Sequence, residues 1–271
     1  MYADLHLHTH YSDGTYTPEE LAERGREQGL GVLALTDHDT IDGCKQMATA
    51  CSERDIEFVS GCEFTVELDG FEIHLLGYFL NLEYSRLIEE LEKYQKVRQN
   101  RIHEMVSRLN KLGIGITGKD VLDVANCNSP GRPHIGRVLV AKGHCRSLDE
   151  SFQKYLKKGK PAWVPKAKMT APQAIELIHE AGGLAVIAHP GLYHRDDVIS
   201  PLVRAGLDGI ECFYTRHSTA MTEHYLLLAE QYGLIVTGGS DCHGDNKGRP
   251  LIGGVKLPYS YIERMKSAVS V

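Results

Sequence analysis

The sequence predicts an α/β fold, either a barrel or an open sheet, interrupted by a helical insertion. Three observations carry this. Seven short apolar runs read as strands, several rich in β-branched residues and bounded by Gly, Asp or Pro. Helical patterns fall between many of them, and alternation on this scale marks α/β architectures. The stretch 84–161 breaks the alternation, being charged, helical in spacing and poor in strand candidates.

The expected strands are Ala3–Thr9, Val32–Thr36, Glu57–Phe64, Glu72–Phe79, Leu184–Ala188, Gly209–Phe213 and Leu234–Gly238. Thr17-Pro18-Glu19-Glu20 is a helix start, with Thr at the cap, Pro in the first turn and Glu three positions after the cap. Thr170-Ala171-Pro172-Gln173 repeats that logic, and Gly29 and Gly182 stand where such helices should stop. Thr219–Tyr232 is a further amphipathic stretch. In the insertion, Leu87, Leu91 and Tyr94, then Ile102, Val106 and Leu109, recur at helical spacing. The expected organisation is a barrel-forming domain of residues 1–83 and 162–271 with a cap subdomain over 84–161. A chain of 271 residues, 42% hydrophobic, has material for that.

Composition narrows the function. A net charge of -6, from 30 basic and 36 acidic residues, argues against a coat for extended double-stranded nucleic acid. A nucleotide would have to be held locally, in a pocket. No apolar run approaches the length that spans a bilayer, so no membrane partner is expected. The opening MYADLHLHTH does not read as a signal peptide, and the seven cysteines show no CxxC pair. Reduced thiols in a cytoplasmic protein are the expectation.

Polar clusters rich in His, Asp and Glu sit on or just past the expected strands. His6 and His8 are two apart on the first, so both imidazoles face one side. Ser12-Asp13-Gly14 follows in a loop. Thr36-Asp37-His38-Asp39 ends the second strand, where α/β enzymes keep catalytic groups, although Asp39 could equally cap the next helix. Glu63 ends the third, His74 interrupts the fourth, and His189 precedes Pro190-Gly191. Asp241 and His243 repeat the two-residue spacing of the opening pair. Taken singly, an HxH, an Asp-Gly turn or a histidine in a core strand each has a structural explanation. Together, on strands whose carboxyl ends meet at one rim if they are parallel, they point to metal binding through mixed nitrogen and oxygen donors.

These elements, as DLHLHTHYSDG, LALTDHD, GCEF, EIHLLGY, AHPG and GSDCHG, resemble the PHP family (polymerase and histidinol phosphatase domains) over nearly the whole chain. GRPH at Gly131–His134, within GRPHIGR, is similar to a branch of nucleoside 3′,5′-bisphosphate phosphatases and 5′-to-3′ exoribonucleases. The resemblance implies a distorted seven-stranded (β/α) barrel holding two to three divalent ions, Mn²⁺ before Zn²⁺ or Fe²⁺. It implies one ion on His6, His8, Glu63 and Asp241. A second would lie on Glu63, His74 and His189, and a third on Asp13, His38 and His243. Cys242 departs from the branch, where Phe is expected, and its side chain should face away from the ligands.

Three such ions would leave the cluster at roughly +3 after Asp13, Glu63 and Asp241, which suits a phosphate. Water between two ions has its pKa lowered from ~15.7 toward ~7 and can attack phosphorus as hydroxide. The expected function is therefore hydrolysis of a phosphate ester, in nucleoside 3′,5′-bisphosphates, short 5′-phosphorylated RNA, or both. Alternatives are a phosphatase of a small metabolite such as histidinol phosphate and a non-catalytic metal-binding module. Glu63 as the bridge, Asp13 at the third ion, and His194 as a proton donor to the leaving alcohol are the catalytic candidates. Arg132, His134, Lys160 and Arg216 are the candidates for gripping substrate.

Overall fold

The computed structural model describes residues 1–247 and 250–269. It contains strands β1 (Tyr2–Asp4), β2 (Leu30–Leu35), β3 (Glu57–Leu68), β4 (Phe71–Tyr78), β5 (Met169–Thr170), β6 (Leu184–Ile187), β7 (Gly209–Tyr214), β8 (Ile235–Gly239) and β9 (Leu257–Pro258). The main sheet runs β8-β7-β6-β4-β3-β2-β1-β9, with β5 beside β3. The β8 end of this path comes round to the segment that follows β1. Leu5 N–H donates to Gly238 O at 3.2 Å, Asp241 N–H to His6 O at 2.8 Å and His8 N–H to Cys242 O at 3.0 Å. A seven-stranded, nearly closed barrel results, stitched along the segments that carry His6, His8 and Asp241.

One expectation is corrected. β4 is antiparallel to both neighbours, β3 and β6. The cause is local: Asp69 and Gly70 both have positive φ, at 50° and 77°, forming a tight hairpin turn that sends β4 straight back along β3. Thr65 pairs with His74 in that hairpin, so His74 enters the site from a strand running the other way.

Helices α1 (Pro18–Glu27), α2 (Cys44–Ser52), α3 (Ser85–Lys111), α4 (Gly118–Ala125), α5 (Arg132–Ala141), α6 (Leu148–Ser151), α7 (Ala171–Glu180), α8 (Ile199–Arg204), α9 (Thr219–Tyr232) and α10 (Tyr259–Val269) complete the fold. Thr17 with Glu20, and Thr170 with Gln173, make the reciprocal cap bonds their spacing predicts. No helix among the described residues is long and apolar enough to cross a membrane.

The stretch between β4 and β5 is helical, as expected, and has its own apolar core of Ile102, Met105, Leu109, Val121, Ile135 and Leu139 among others. Its first turns do not belong to that core. Leu87 and Leu91 pack with Ile175, Leu177 and Ile178 against the barrel. Helix α3 thus starts on the barrel and ends inside the insertion, joining the two.

Candidate metal centre

The barrel mouth gathers the residues that the sequence scattered. His6 Nε2 lies 3.2 Å from Glu63 Oε2 and 3.6 Å from Asp241 Oδ1. His8 Nε2 lies 3.2 and 3.3 Å from the same two oxygens. On the other carboxylate oxygen of Glu63, Oε1, His74 Nδ1 stands at 2.7 Å and His189 Nε2 at 3.0 Å. His38 Nδ1 reaches Oε2 at 3.0 Å. Asp13 Oδ1 faces His243 Nε2 at 3.2 Å and His38 Nε2 at 3.9 Å. Glu63 thus stands between two sets of imidazoles, and Asp13 opens a third.

These side chains fit a metal cluster. His6 Nε2, both ring nitrogens of His8 and Glu63 Oε2 are buried without a hydrogen-bond partner. Orphaned donors and acceptors of this kind are costly in a folded core. Ligands about 2.1 Å from a shared ion stand roughly 3.0–3.5 Å from one another, which is the spacing found here. Three overlapping groups could each hold an ion: His6, His8, Glu63 and Asp241; His8, Asp13, His38 and His243; and His38, Glu63 and His74. Electrostatics agrees. Burial opposes charge on His8, yet Asp241 and Glu63 outweigh it and push the imidazole up to about 9. Burial likewise works to raise Asp13 and Glu63, but the facing imidazoles hold both well below the usual carboxylate range. The cluster attracts positive charge.

Neighbouring groups position these side chains. Asp37 accepts from Thr9 N–H at 2.7 Å and from the Ser12 hydroxyl, shaping the loop that carries Asp13. Arg137 donates to Asp13 O at 2.6 Å and clamps the same loop from the insertion. Tyr214 O–H donates to Asp241 Oδ2 at 2.9 Å. His74 N–H donates to Tyr193 O–H at 2.9 Å. Glu211, fully buried on β7, accepts from His6 and from the backbone of His189. The sequence reading missed Glu211, though a carboxylate inside the apolar run Gly209–Phe213 demands a buried partner. It missed Arg137 as well, although the residue closes the GRPHIGR motif.

Asp39 does not cap a helix: α2 begins at Cys44, with Gly43 at its cap. Its carboxylate instead pairs with Arg98 at 2.7 Å and Lys166 at 2.5 Å. Those two cations, with Arg101 and Arg132, line a cleft of about 130 Å³ beside Asp13, His38 and His74. Phe152 shares the lining, 5.8 Å under the Arg132 guanidinium. His134 is buried and its Nδ1 accepts from Gly131 N–H at 2.9 Å, completing the entry of α5. That bond leaves the ring proton on Nε2, and burial holds the imidazole neutral, down to about 4. Cys242 packs into the core with Leu7 and Leu33, away from the ligands.

The remaining candidates are not brought together with the cluster. His194 is exposed, two residues past the turn Pro190–Leu192; Tyr193, not His194, packs against His189. Lys160 is exposed on the loop after the π-helical turn Phe152–Leu156. Arg216 is exposed beyond β7, with its charge felt at Tyr214.

A barrel mouth lined by six imidazoles and three carboxylates defines a metal-dependent hydrolase. The PHP domain family profile matches residues 4–234, and the chain belongs to that family of metal-dependent phosphoesterases. It is 33% identical over 255 residues to the 3′,5′-nucleoside bisphosphate phosphatase of Chromobacterium violaceum, covering 90% of this chain and 88% of that one. It is 34% identical over 251 residues to a 5′-3′ exoribonuclease of Haemophilus influenzae, covering 89% of each. A solved structure from Bifidobacterium adolescentis, provisionally assigned as a metal-dependent phosphoesterase, superposes with a TM-score of 0.91 at 29% identity. The match covers 98% of this chain and 95% of that one.

Asp13 and His243 sit on loops beyond β1 and β8, so truncating either side chain should leave the barrel intact. Asp13→Ala and His243→Ala are each expected to lower turnover by roughly 100-fold, the order seen when reacting groups lose alignment by ~1 Å. Melting temperatures should change little. Unchanged turnover would exclude the group of His8, Asp13, His38 and His243 from the reaction.

Proposed function

We propose that the protein hydrolyses phosphate esters of nucleotides, namely nucleoside 3′,5′-bisphosphates, short 5′-phosphorylated RNA, or both. In this reading His6, His8, Asp13, His38, Glu63, His74, His189, Asp241 and His243 hold two or three divalent ions. Manganese suits the mixed nitrogen and oxygen donors, as do zinc and iron. The carrying observation is the cationic wall beside those ligands. Arg98, Arg101, Arg132 and Lys166 line the cleft against the two carboxylates Asp13 and Glu72, with the buried Asp39 pairing Arg98 and Lys166 from behind. A substrate with a second phosphate answers that excess, whereas a monophosphate would leave it unmet. The names of the two curated relatives support the same substrate classes.

Bound ions would supply Lewis acidity and lower the pKa of water. The chain's own residues do the rest. Glu63 fixes the spacing of the ligand sets through its two oxygens. Arg132 and Lys166 grip the phosphate that is not cleaved, Arg132 offering a planar fork. His134, buried behind that wall, holds the entry of α5 that carries Arg132 by accepting from Gly131 N–H. Phe152 offers a flat apolar face at the entrance. The helical stretch 84–161 acts as a cap limiting entry.

The test is release of inorganic phosphate and nucleotide by manganese-loaded protein from bisphosphates, 5′-phosphorylated oligoribonucleotides, mononucleotides and histidinol phosphate. Preference for histidinol phosphate would overturn the nucleotide reading, and no hydrolysis at full metal load would favour a binding module.

The wall also sets a pH dependence. Burial, helped by Arg98 and opposed by Asp39, pushes the Lys166 ammonium down to about 8. Lys166 therefore loses its charge as pH rises through about 8. KM should climb roughly tenfold between neutral pH and the alkaline side, the worth of one charge-assisted hydrogen bond. Lys166→Arg, which stays charged, should flatten that climb; an identical profile would remove Lys166 from substrate binding.

A further inference from the structure

We infer that Glu211 is a positioning residue that locks His6 and the His189 turn into ligand geometry, coupling two of the ligand sets through one buried carboxylate. The inference rests on the metal-centre reading above but not on the identity of the substrate.

Glu211 sits in mid-β7 and is fully buried. Its Oε1 lies 3.0 Å from His6 Nδ1, and its Oε2 accepts from His189 N–H at 2.6 Å. Each oxygen therefore faces a different donor. With Nδ1 carrying the proton toward Glu211, the lone pair of His6 is left on Nε2, the atom that faces Glu63 and Asp241. The second oxygen holds the backbone of His189, whose φ of 31° is a left-handed conformation that a non-glycine residue keeps only under constraint. His189 Nε2 in turn faces Glu63 Oε1. One carboxylate thus orients a ligand on each side of Glu63.

Two further contacts hold the His189 turn without replacing Glu211. Gly191 N–H donates to His217 Nε2 at 3.2 Å, and His217 Nδ1 donates to Cys212 O at 2.9 Å. A Cβ on Gly191 would meet Met221 and His217 side-chain atoms at 2.2 and 2.7 Å, so the turn is tightly packed. Neither contact acts on His6.

The chemistry requires a carboxylate, because two donors need two acceptor oxygens. A glutamine of the same shape has one oxygen and one NH₂. If the oxygen faces His189, the amide donates to His6 Nδ1 and drives the proton to Nε2, where it blocks the ligand position. If the amide is reversed, its NH₂ meets the His189 N–H, donor against donor. Either way one ligand set is lost to its ion.

The test is binding of Mn²⁺ alone, by calorimetry and by metal content after dialysis against buffered Mn²⁺, for wild type, Glu211→Gln and Glu211→Ala. Circular dichroism and melting of the metal-free proteins check the fold. We expect the Gln variant to remain folded and to need roughly 10- to 100-fold more Mn²⁺ for half-occupancy. With saturating Mn²⁺ its KM for substrate should return toward wild type. Wild-type Mn²⁺ affinity in a folded Gln variant would overturn the role of Glu211. A wild-type protein that binds no Mn²⁺, Zn²⁺ or Fe²⁺ would instead overturn the metal-centre reading itself. If Ala unfolds while Gln folds and binds normally, Glu211 is structural only and the inference fails.

Discussion

Replacing Glu63 with Gln is expected to cost roughly 10³-fold or more in turnover, the largest effect of any single change at the site. Glu63 Oε2 faces His6, His8 and His38, and Oε1 faces His74 and His189. An amide has only one oxygen, and its NH₂ would present hydrogens to one of these imidazole sets. Metal content should fall with activity, because the groups around His6 and around His74 both use this residue. The fold should survive. Glu63 N–H donates to Asp37 O and its carbonyl accepts from Asp39 N–H, and both bonds are backbone. Metal-free Glu63→Gln should melt somewhat below metal-free wild type at neutral pH, since the facing imidazoles outweigh burial and stabilise the ionised carboxylate. Phosphate release, metal analysis and calorimetry read these outcomes. A fully loaded, active Gln variant would remove Glu63 from the bridge between ligand sets.

Asp39→Ala is expected to produce the largest loss of stability, about 3–5 kcal/mol. The carboxylate accepts from Arg98 Nε at 2.7 Å, Lys166 Nζ at 2.5 Å and Thr65 N–H at 2.9 Å, and all three partners lie in the buried class. Truncation leaves two buried cations without an anion. Melting should fall by roughly 10 °C. Burial works to raise the Asp39 carboxyl, but Lys166 and Arg98 outweigh it and hold it well below the usual range. The sign follows: this stability is fully present above the unfolded carboxylate pKa of about 3.9 and is lost as pH falls below it. Wild type should therefore lose its advantage over the Ala variant in strong acid. A melting temperature within ~2 °C of wild type at neutral pH would show that the pair is not what holds α3 to the β2 loop. Asp39→Ala combined with Lys166→Met should recover part of the loss by removing one stranded charge.

Much of this was readable from residue order. Six of the seven main strands were expected within a few residues, because each is an apolar run bounded by Gly, Asp or a polar residue; the first stops at Asp4, so His6 and His8 lie just past it and not on it. The nine ligand candidates were readable because they cluster on or just past the strands and two pairs keep a two-residue spacing. What escaped was long-range. The reversal of β4 was signalled by Asp69-Gly70 between alternating residues, but the signal is short and the parallel rhythm around it hides it. Asp39 reads as a helix cap until Arg98 and Lys166, far along the chain, arrive beside it. Glu211 has no motif. Only the tertiary fold supplies its two donors. The exposed positions of His194, Lys160 and Arg216 follow from loop paths that local spacing does not encode.

The stitch that closes the barrel has a consequence for how the molecule is made. His8 bonds to Cys242, and Asp241 to His6, so the first ligands in the chain find their partners only near its far end. At 5–20 residues per second, a ribosome needs on the order of ten to fifty seconds to span that interval. During translation the early histidines wait in an unclosed sheet with no complete site to fill. The cluster of these side chains is therefore assembled only late in synthesis.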